Sequence, residues 1–251
     1  MTAEMTDPSS QVSKMTILEH LTELRQRLIK AVLALLIGTV VSLAFTQQFL
    51  TLLIRPMGAN HPIALRPTES IMVYFKVALI CGLVLAMPVI VYQLIRFILP
   101  GLTDDEKKYL KIVIPGAAGL FAIGVAFASF IMIPFAINYL QSFLSDIITP
   151  TFSIDNYISF VTTLMFWVGI IFETPLIIAF LARIGLVTPR VLSEYRRYAI
   201  VVIALIAAMI TPTPDPVNMA LVMVPLIVLY EVGVILAKIL YKPRMVAGPD
   251  V

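Results

Sequence analysis

The stretch IVIPGAAGLFAIGVAFASFIMIPFAINYLQSFLS, residues 112–145, contains no Asp, Glu, Lys or Arg. An α-helix rises about 1.5 Å per residue and the hydrocarbon core of a bilayer is about 30 Å thick, so roughly 20 apolar helical residues are enough to cross it. Shorter charge-free runs predict further membrane helices at residues 31–54, 77–95, 156–172, 198–214 and 216–230. Because these runs are continuous, they favour helices over the alternating strands of a membrane β-barrel.

The composition indicates the same class of protein. Of the 251 residues, 60% are hydrophobic and 13% are charged, whereas an ordinary soluble domain has about 25% charged residues. A soluble enzyme is nearly excluded, because too few charged side chains are present to cover its surface. The sequence has no Ser-His-Asp set, HExxH motif or Gly-rich nucleotide loop, and it has one cysteine, Cys81, and two histidines. We therefore expect no enzymatic activity, no cofactor and no metal.

Basic residues predict the orientation in the membrane. Of the 18 Lys and Arg residues, 15 fall in the N-terminal tail, in the loops after the second and fourth helices, and in the C-terminal end. The other side keeps only Arg55, Arg66 and Lys76. The positive-inside rule then places both termini in the cytoplasm, as an even number of helices requires.

These patterns predict an all-α integral membrane protein with six transmembrane helices. A single membrane domain is expected at residues 16–241, between a disordered cytoplasmic tail at 1–15 and a second cytoplasmic tail at 242–251. The helices are predicted at about 28–54, 71–97, 108–137, 157–182, 196–211 and 216–238.

Helix ends and bends can also be predicted. The segments TILE at 16–19 and TDDE at 103–106 have the form of capping boxes, so helices should begin just after Thr16 and Thr103. Prolines inside the spans should kink the helices into a curved bundle, and they are Pro88, Pro115, Pro134, Pro175 and Pro225.

The last two helices are expected to form a short hairpin around the turn TPTPDP, residues 211–216. The runs 198–210 and 216–230 are each too short to cross a bilayer of about 30 Å. We expect the lipid to be thinned beside this hairpin and a single-span partner to dock there. The docking face is predicted to include Val202, Leu205 and Val222.

Glu173 lies ten residues before Arg183 and therefore near the middle of the bilayer. A charged group there costs roughly 2.5–3.5 kcal/mol, which favours a functional role. The alternative is a neutral glutamic acid that fixes helix packing, and in either case we expect a hydrogen-bond partner rather than an ion pair. For Glu231, nearer the membrane boundary, we favour a structural role.

Two further carboxylates have simple structural explanations. Glu23 is spaced to pair with Arg27 at i,i+4, and Glu106 closes the predicted capping box. The basic residues are explained by topology and require no nucleic-acid partner.

Five motifs, in order along the chain, resemble those of the TatC family, the polytopic core of the twin-arginine protein translocase. They are HLTELRQRL at 20–28, FILPGL at 97–102 followed by Glu106, GIIFETP at 169–175, TPTPD at 211–215 and LYE at 229–231.

The resemblance implies a multi-pass protein of a bacterial or archaeal cytoplasmic membrane, with six helices and both termini in the cytoplasm. It implies a receptor that binds twin-arginine signal peptides of folded proteins. It also implies an oligomeric complex with single-span subunits of the TatA and TatB type and transport driven by the proton-motive force.

The resemblance also implies roles for particular residues. Glu23 and Glu106 would face the signal-peptide arginines, with Arg25 and Phe97 supporting them, and Glu173 would be the intramembrane functional carboxylate. Partner contacts would involve two residues of the final turn, Thr211 and Asp215. The alternative function is a proton-coupled secondary transporter using Glu173, although no internal repeat supports it. A purely structural membrane subunit is the third possibility.

Overall fold

Backbone groups inside a bilayer must find their hydrogen-bond partners within the protein, which favours helices. The computed structural model describes residues 17–58, 62–98, 104–143, 145–147, 150–211 and 215–241. Over these residues the regular secondary structure is helical, apart from an isolated bridge between Ile63 and Ser153, and turns or irregular segments connect the helices. The helices are α1 (Ile17–Leu43), α2 (Thr46–Ile54), α3 (Glu69–Ile98), α4 (Asp104–Phe127), α5 (Ile133–Ser142), α6 (Ile154–Phe172), α7 (Thr174–Arg183), α8 (Pro189–Glu194), α9 (Arg196–Ile210) and α10 (Pro216–Leu240).

Five helical segments among the described residues are long and apolar enough to cross a membrane. They are Leu18–Leu43, Glu69–Phe97, Val113–Ser142, Ile154–Arg183 and Pro216–Leu240. The third joins α4 to α5 through the π-helical residues Ala128–Met132, and the fourth joins α6 to α7. The structure thus confirms an all-α protein with several membrane-spanning helices.

Only one arm of the final hairpin is short. The 15 residues of α9 extend about 22 Å, as expected for a helix shorter than the bilayer. The prediction that the second arm is also too short is wrong, because α10 has 25 residues and continues past Glu231 to Leu240. Within α10 the Glu231 carboxylate is paired with Arg196 at 2.8 Å.

The apolar run predicted as one helix over 28–54 forms two helices. After Leu43 the backbone tightens, with Phe45 N–H donating to the Ser42 carbonyl three residues earlier at 2.9 Å. The Ser42 hydroxyl also donates to the carbonyl of Ala78 on α3. No proline or glycine marks this bend in the sequence.

The five prolines differ in their effects on the helices. α1 and α4 are described from Ile17 and Asp104 onward, and the residues just before them, including Thr16 and Thr103, lie outside the described part, so the helix starts stay predictions. Near Pro134 and Pro175 the α-helix is interrupted, because proline lacks the N–H that would continue the ladder. The remaining three lie inside continuous helices, and they are Pro88, Pro115 and Pro225.

α1 and α3 pack against each other in opposite directions at unusually close range. A Cβ added at Gly38 would lie 2.5 Å from the Gly82 carbonyl oxygen, and one added at Gly82 would lie 2.5 Å from Thr39 Cα. The Tyr74 hydroxyl donates to the Leu43 carbonyl at 2.6 Å near one end of this contact. We call the side on which α1 begins and α3 ends the near side, and the opposite side the far side.

The other long helices pack around α3 and α6. On α4 and α6, Gly169 admits the ring of Phe121, and Gly124 admits the ring of Phe172. The main core includes buried side chains from α3, α6, the start of α5 and the segment between α4 and α5, among them Val73, Val77, Met132, Ile133, Ile158, Val161 and Val168.

On the far side, polar contacts tie two connecting segments together. Ile63 N–H donates to the Phe152 carbonyl at 3.0 Å, and Ile154 N–H donates to the Ile63 carbonyl at 2.9 Å. The buried carboxylate of Glu69 accepts from Leu65 N–H at 2.9 Å and from the Ser153 hydroxyl at 3.3 Å. The start of α6 is therefore fixed to the segment that leads into α3.

The glycine contact predicts a specific loss of stability. Gly82→Ala should destabilise the protein by about 1–3 kcal/mol, because the new methyl group overlaps the backbone of Thr39. Thermal unfolding of the detergent-solubilised protein measures the change. Gly119→Ala is the matched control, since a Cβ there meets nothing within 4 Å. Equal melting temperatures for the two variants would contradict the close α1–α3 contact.

Candidate functional site

On the near side, the first turns of α1 meet the last turns of α3 in a polar and aromatic cluster. We call it the near-side cluster, and its members are His20, Glu23, Arg27, Gln93 and Phe97. The rings of His20 and Phe97 stack with their centroids 4.3 Å apart and their planes at 23°. This contact and the Arg27–Gln93 bond join the two helices at the membrane boundary.

The ion pair between Glu23 and Arg27 forms as the i,i+4 spacing predicts. Two guanidinium nitrogens donate to the same oxygen, Glu23 Oε1, with Nη2 at 2.8 Å and Nε at 3.3 Å. Arg27 Nη1 donates to the Gln93 side-chain oxygen at 3.4 Å. Arg27 is therefore anchored to both helices.

The second carboxylate oxygen of Glu23 differs from the first. Oε2 is buried and has no hydrogen-bond partner among the residues that the structure describes. Since an ionised carboxylate accepts up to about four hydrogen bonds, Glu23 retains capacity for another donor. A guanidinium group is well suited to it, because its planar fork matches carboxylate geometry.

The structure separates the other predicted members of the site. Phe97 belongs to the near-side cluster through its contact with His20. Arg25 is exposed and two residues from Glu23, so it lies on a different face of α1. Glu106 lies in the first turn of α4, and its side chain is outside the part of the chain that the structure describes.

Two members of the near-side cluster, His20 and Gln93, were not predicted as site residues from the sequence. Gln93 is nearly buried. Only 8% of its surface is exposed, and it connects α3 to Arg27. A signal was present, because an amide near the end of the charge-free run 77–95 must find a partner inside a membrane protein. An uncharged amide inside an apolar run is a weaker signal than a charged side chain, and it points to no particular partner.

Glu173 lies where α6 ends and α7 begins, two residues before Pro175. The residue is 7% exposed. Its backbone N–H donates to the Ile170 carbonyl at 3.0 Å, and its carbonyl accepts from Ile177 N–H at 2.9 Å. The carboxyl group contacts the backbone of Phe121 on α4, whereas its Oε1 atom has no hydrogen-bond partner among the described residues. The structure therefore buries a carboxyl oxygen without a partner between two helical segments.

At the far side, Thr211 and Asp215 end one helix and begin the next. The Thr211 hydroxyl donates to the Ala207 carbonyl at 3.0 Å. Asp215 is the N-cap of α10, where its carboxylate accepts from the Asn218 backbone N–H at 2.8 Å and from the Asn218 side-chain amide at 2.9 Å. Both residues thus have structural partners, and residues 212–214 between them lie outside the described part.

Glu231 has the structural role expected of it. Its carboxylate joins α10 to Arg196 at the start of α9, and the neighbouring Tyr230 hydroxyl donates to the Leu192 carbonyl at 2.8 Å. Over the described ranges, no group of three or more His, Cys, Asp or Glu side chains could hold a metal ion.

Comparison with known proteins assigns the family. The model of the family "Sec-independent protein translocase protein (TatC)" matches residues 19–225. This chain belongs to the TatC family. TatC of Carboxydothermus hydrogenoformans is 35% identical over 236 residues, covering 93% of this chain and 97% of the relative. TatC of Aquifex aeolicus is 38% identical over 236 residues, covering 92% and 98%.

Solved TatC structures agree in fold. A crystal structure of the twin-arginine translocase receptor TatC matches with a TM-score of 0.77 and 38% identity, covering 88% of this chain and 99% of that one. A crystal structure of the receptor in DDM matches with a TM-score of 0.80 and the same identity, covering 88% and 100%. This TatC-family chain is thus a multi-pass membrane component of the Tat protein translocase, not an enzyme. It is part of a translocase complex and therefore has protein partners.

Proposed function

We propose that this chain is the signal-peptide receptor and assembly scaffold of a twin-arginine translocase. It binds the twin-arginine signal peptides of folded proteins and, with single-span TatA- and TatB-like subunits, exports these proteins using the proton-motive force. The observation that carries the proposal is the unpartnered Glu23 oxygen at the near side of a chain 38% identical to a twin-arginine translocase receptor.

The proposed location is a bacterial or archaeal cytoplasmic membrane, with both termini in the cytoplasm. The near side is then the cytoplasmic side. The distribution of Lys and Arg supports this orientation, because 15 of 18 lie on the side of the termini in a six-helix topology. In that topology α9 is the one short crossing, and residues 1–15 and 242–251 are cytoplasmic tails.

The proposed signal-peptide site combines Glu23 with Glu106. α4 begins only six residues after α3 ends, so the first turn of α4 starts on the same side of the membrane as the near-side cluster. Phe97 supports the site by holding His20 against α3. Arg25, exposed on the neighbouring face of α1, is proposed to support the site from outside the cluster.

Removing either carboxylate should weaken signal-peptide binding. Glu23→Ala or Glu106→Gln is expected to reduce the affinity for a twin-arginine peptide tenfold or more, because a charge-assisted hydrogen bond contributes about 1.5–3 kcal/mol. Isothermal titration against detergent-solubilised protein gives the affinity, and circular dichroism checks the fold.

Glu194→Gln provides the matched control, since Glu194 forms an exposed ion pair with Arg190 away from the cluster. Unchanged affinity in the Glu23→Ala, Glu106→Gln double variant would refute the site. Unfolding of Glu106→Gln would instead indicate that Glu106 acts as a helix cap.

Glu173 is proposed to act as a neutral carboxylic acid in helix contacts that partner assembly requires. Its burial between α6 and α7 supports this state, because an isolated charge is expensive in the bilayer interior. Glu173→Gln should therefore change transport little, whereas Glu173→Leu and Glu173→Arg should impair assembly or transport.

The comparison uses export of a twin-arginine reporter protein and co-purification of the single-span subunits. If Glu173→Gln were as damaging as Glu173→Arg, ionisation of the carboxyl would be required. That result would favour the alternative function, a proton-coupled transporter.

The proposed docking face for a single-span subunit lies along α9, near Thr211 and Asp215. Leu205 is 63% exposed and Val202 is also exposed, so both can reach a partner helix. Val222 does not belong to this face, because it is only 1% exposed and packs in the core. The prediction that Val222 belongs to the docking face is therefore wrong.

Cross-linking tests the docking face. Photoreactive groups at Val202 and Leu205 should capture a TatA- or TatB-like helix, and a group at Val32 on α1, also exposed to the membrane, should not. Stronger capture from Val32 than from both α9 positions would show that the partner docks elsewhere.

A further inference from the structure

A groove runs along the membrane-facing surface where α1 packs against α3. It has a volume of 560 Å³ and is lined by Lys30, Leu33, Ala34, Ile37, Gly38, Val41, Leu85, Ala86 and Val89. Eight of these nine residues are apolar, and the small side chains of Ala34 and Ala86 with Gly38 leave the space between the helices. We call it the α1–α3 groove.

The single charged residue of the groove lies at its near-side end. Lys30 is exposed and directly precedes the charge-free run 31–54, so it marks the membrane boundary whichever way the protein is oriented. From Lys30 to Val41 at the inner end, α1 rises about 16 Å. Half of a hydrocarbon core of about 30 Å is about 15 Å, so the groove has the depth of one leaflet.

A second cation lies beyond the same end of the groove on α3. Leu85 and Val89 line the groove, and positions 92 and 96 continue their spacing along the same face of the helix. Arg96 is exposed and its guanidinium lies over the ring of Tyr92, 5.5 Å from the centroid.

Contacts between α1 and α3 fix the relative depth of the two cations. Arg27 pairs with Gln93 and Gly38 with Gly82, which places Lys30 level with about residue 90 of α3. Arg96 is therefore about 9 Å nearer the aqueous phase along the helix. Long basic side chains extend from such positions toward the headgroup region. Within the part of the chain that the structure describes, neither cation forms an ion pair.

We propose that the α1–α3 groove binds an anionic phospholipid of the near-side leaflet, with its phosphate between Lys30 and Arg96 and an acyl chain along the groove. The two cations at the near-side end of the groove favour an anionic lipid over a zwitterionic one. The apolar lining, which is as long as one leaflet, favours an acyl chain over a partner helix. At its inner end the groove shares Val41 and Leu85 with an apolar cavity of 510 Å³, so a long acyl chain can continue inward.

Quenching of a single tryptophan by brominated lipids tests this proposal. The sole native tryptophan, Trp167, is replaced by Phe, and Val89→Trp places the probe on the half-exposed wall of the groove. The full-length protein is reconstituted into phosphatidylcholine vesicles containing equal mole fractions of brominated phosphatidylglycerol or brominated phosphatidylcholine. Each basic residue near an anionic surface contributes about fivefold, so we expect phosphatidylglycerol to be preferred by about 5- to 25-fold at this probe.

Charge variants separate the groove from the general surface. Lys30→Gln with Arg96→Gln should reduce the preference to about onefold, whereas Lys30→Arg with Arg96→Lys should retain it, since each cation contributes by its charge. Arg190→Gln with Lys238→Gln removes two other exposed near-side charges and should leave the preference unchanged.

A depth-matched probe completes the experiment. Val32→Trp lies at a similar depth on another face of α1, and it should show no preference for phosphatidylglycerol. The proposal is overturned by equal quenching with both lipids at residue 89, or by a preference that survives loss of both charges. It is equally overturned by the same preference at residue 32, or by absence of quenching at residue 89, which would indicate another occupant.

Discussion

The backbone contact between α1 and α3 at Gly38 and Gly82 determines how the near side is built. Because no side chain separates the helices there, their relative sliding position is fixed by the peptide groups themselves. That position brings Arg27 level with Gln93 and His20 level with Phe97. The acceptor capacity of Glu23 follows, since an arginine held from two helices occupies only one carboxylate oxygen. The proposed receptor site thus depends on two glycines that lie about three helical turns away from it along α1 and α3.

Two charged or ionisable side chains within the membrane helices, Lys76 and Glu173, differ in whether they have an ion-pair partner among the described residues. Lys76 on α3 is paired with Asp155 on α6, and the Ser159 hydroxyl accepts from Lys76 at 2.7 Å, so these charges are compensated inside the protein. Glu173 instead has a buried oxygen without a described partner at a helix interruption. A compensated pair is explained by packing between α3 and α6. The Phe121 backbone contact leaves the Oε1 atom of Glu173 without a described partner, and this difference supports the proposed role of Glu173 in contacts with other subunits.

The membrane helices could be predicted from the sequence because the bilayer imposes one requirement, length without charge, on every span. The same criterion failed at Glu231, because a charged residue ends an apolar run without ending a helix, and α10 continues past Glu231 to Leu240. The bend after Leu43 and the bond between Arg27 and Gln93 arise from tertiary contacts, and they left no local pattern of glycine or proline. Glu23 and Arg27 were found because their spacing is local. Whether Val222 faces the core or the lipid depends on how α10 packs, and a charge-free run does not predict this packing.

The polar contacts that join the two connecting segments on the far side have a practical consequence for labelling this protein. Glu69, the Ile63–Ser153 bridge and their hydrogen bonds hold residues 62–69 and 152–154 at several points, so an inserted peptide would disrupt the entry into two long helices. The exposed residues 145–147 lie outside those contacts, and Ile147 is 80% exposed. Residues 145–147 are therefore a suitable place to insert an epitope tag or a protease site that reports which side of the membrane is outside. An inserted peptide can extend into solvent there.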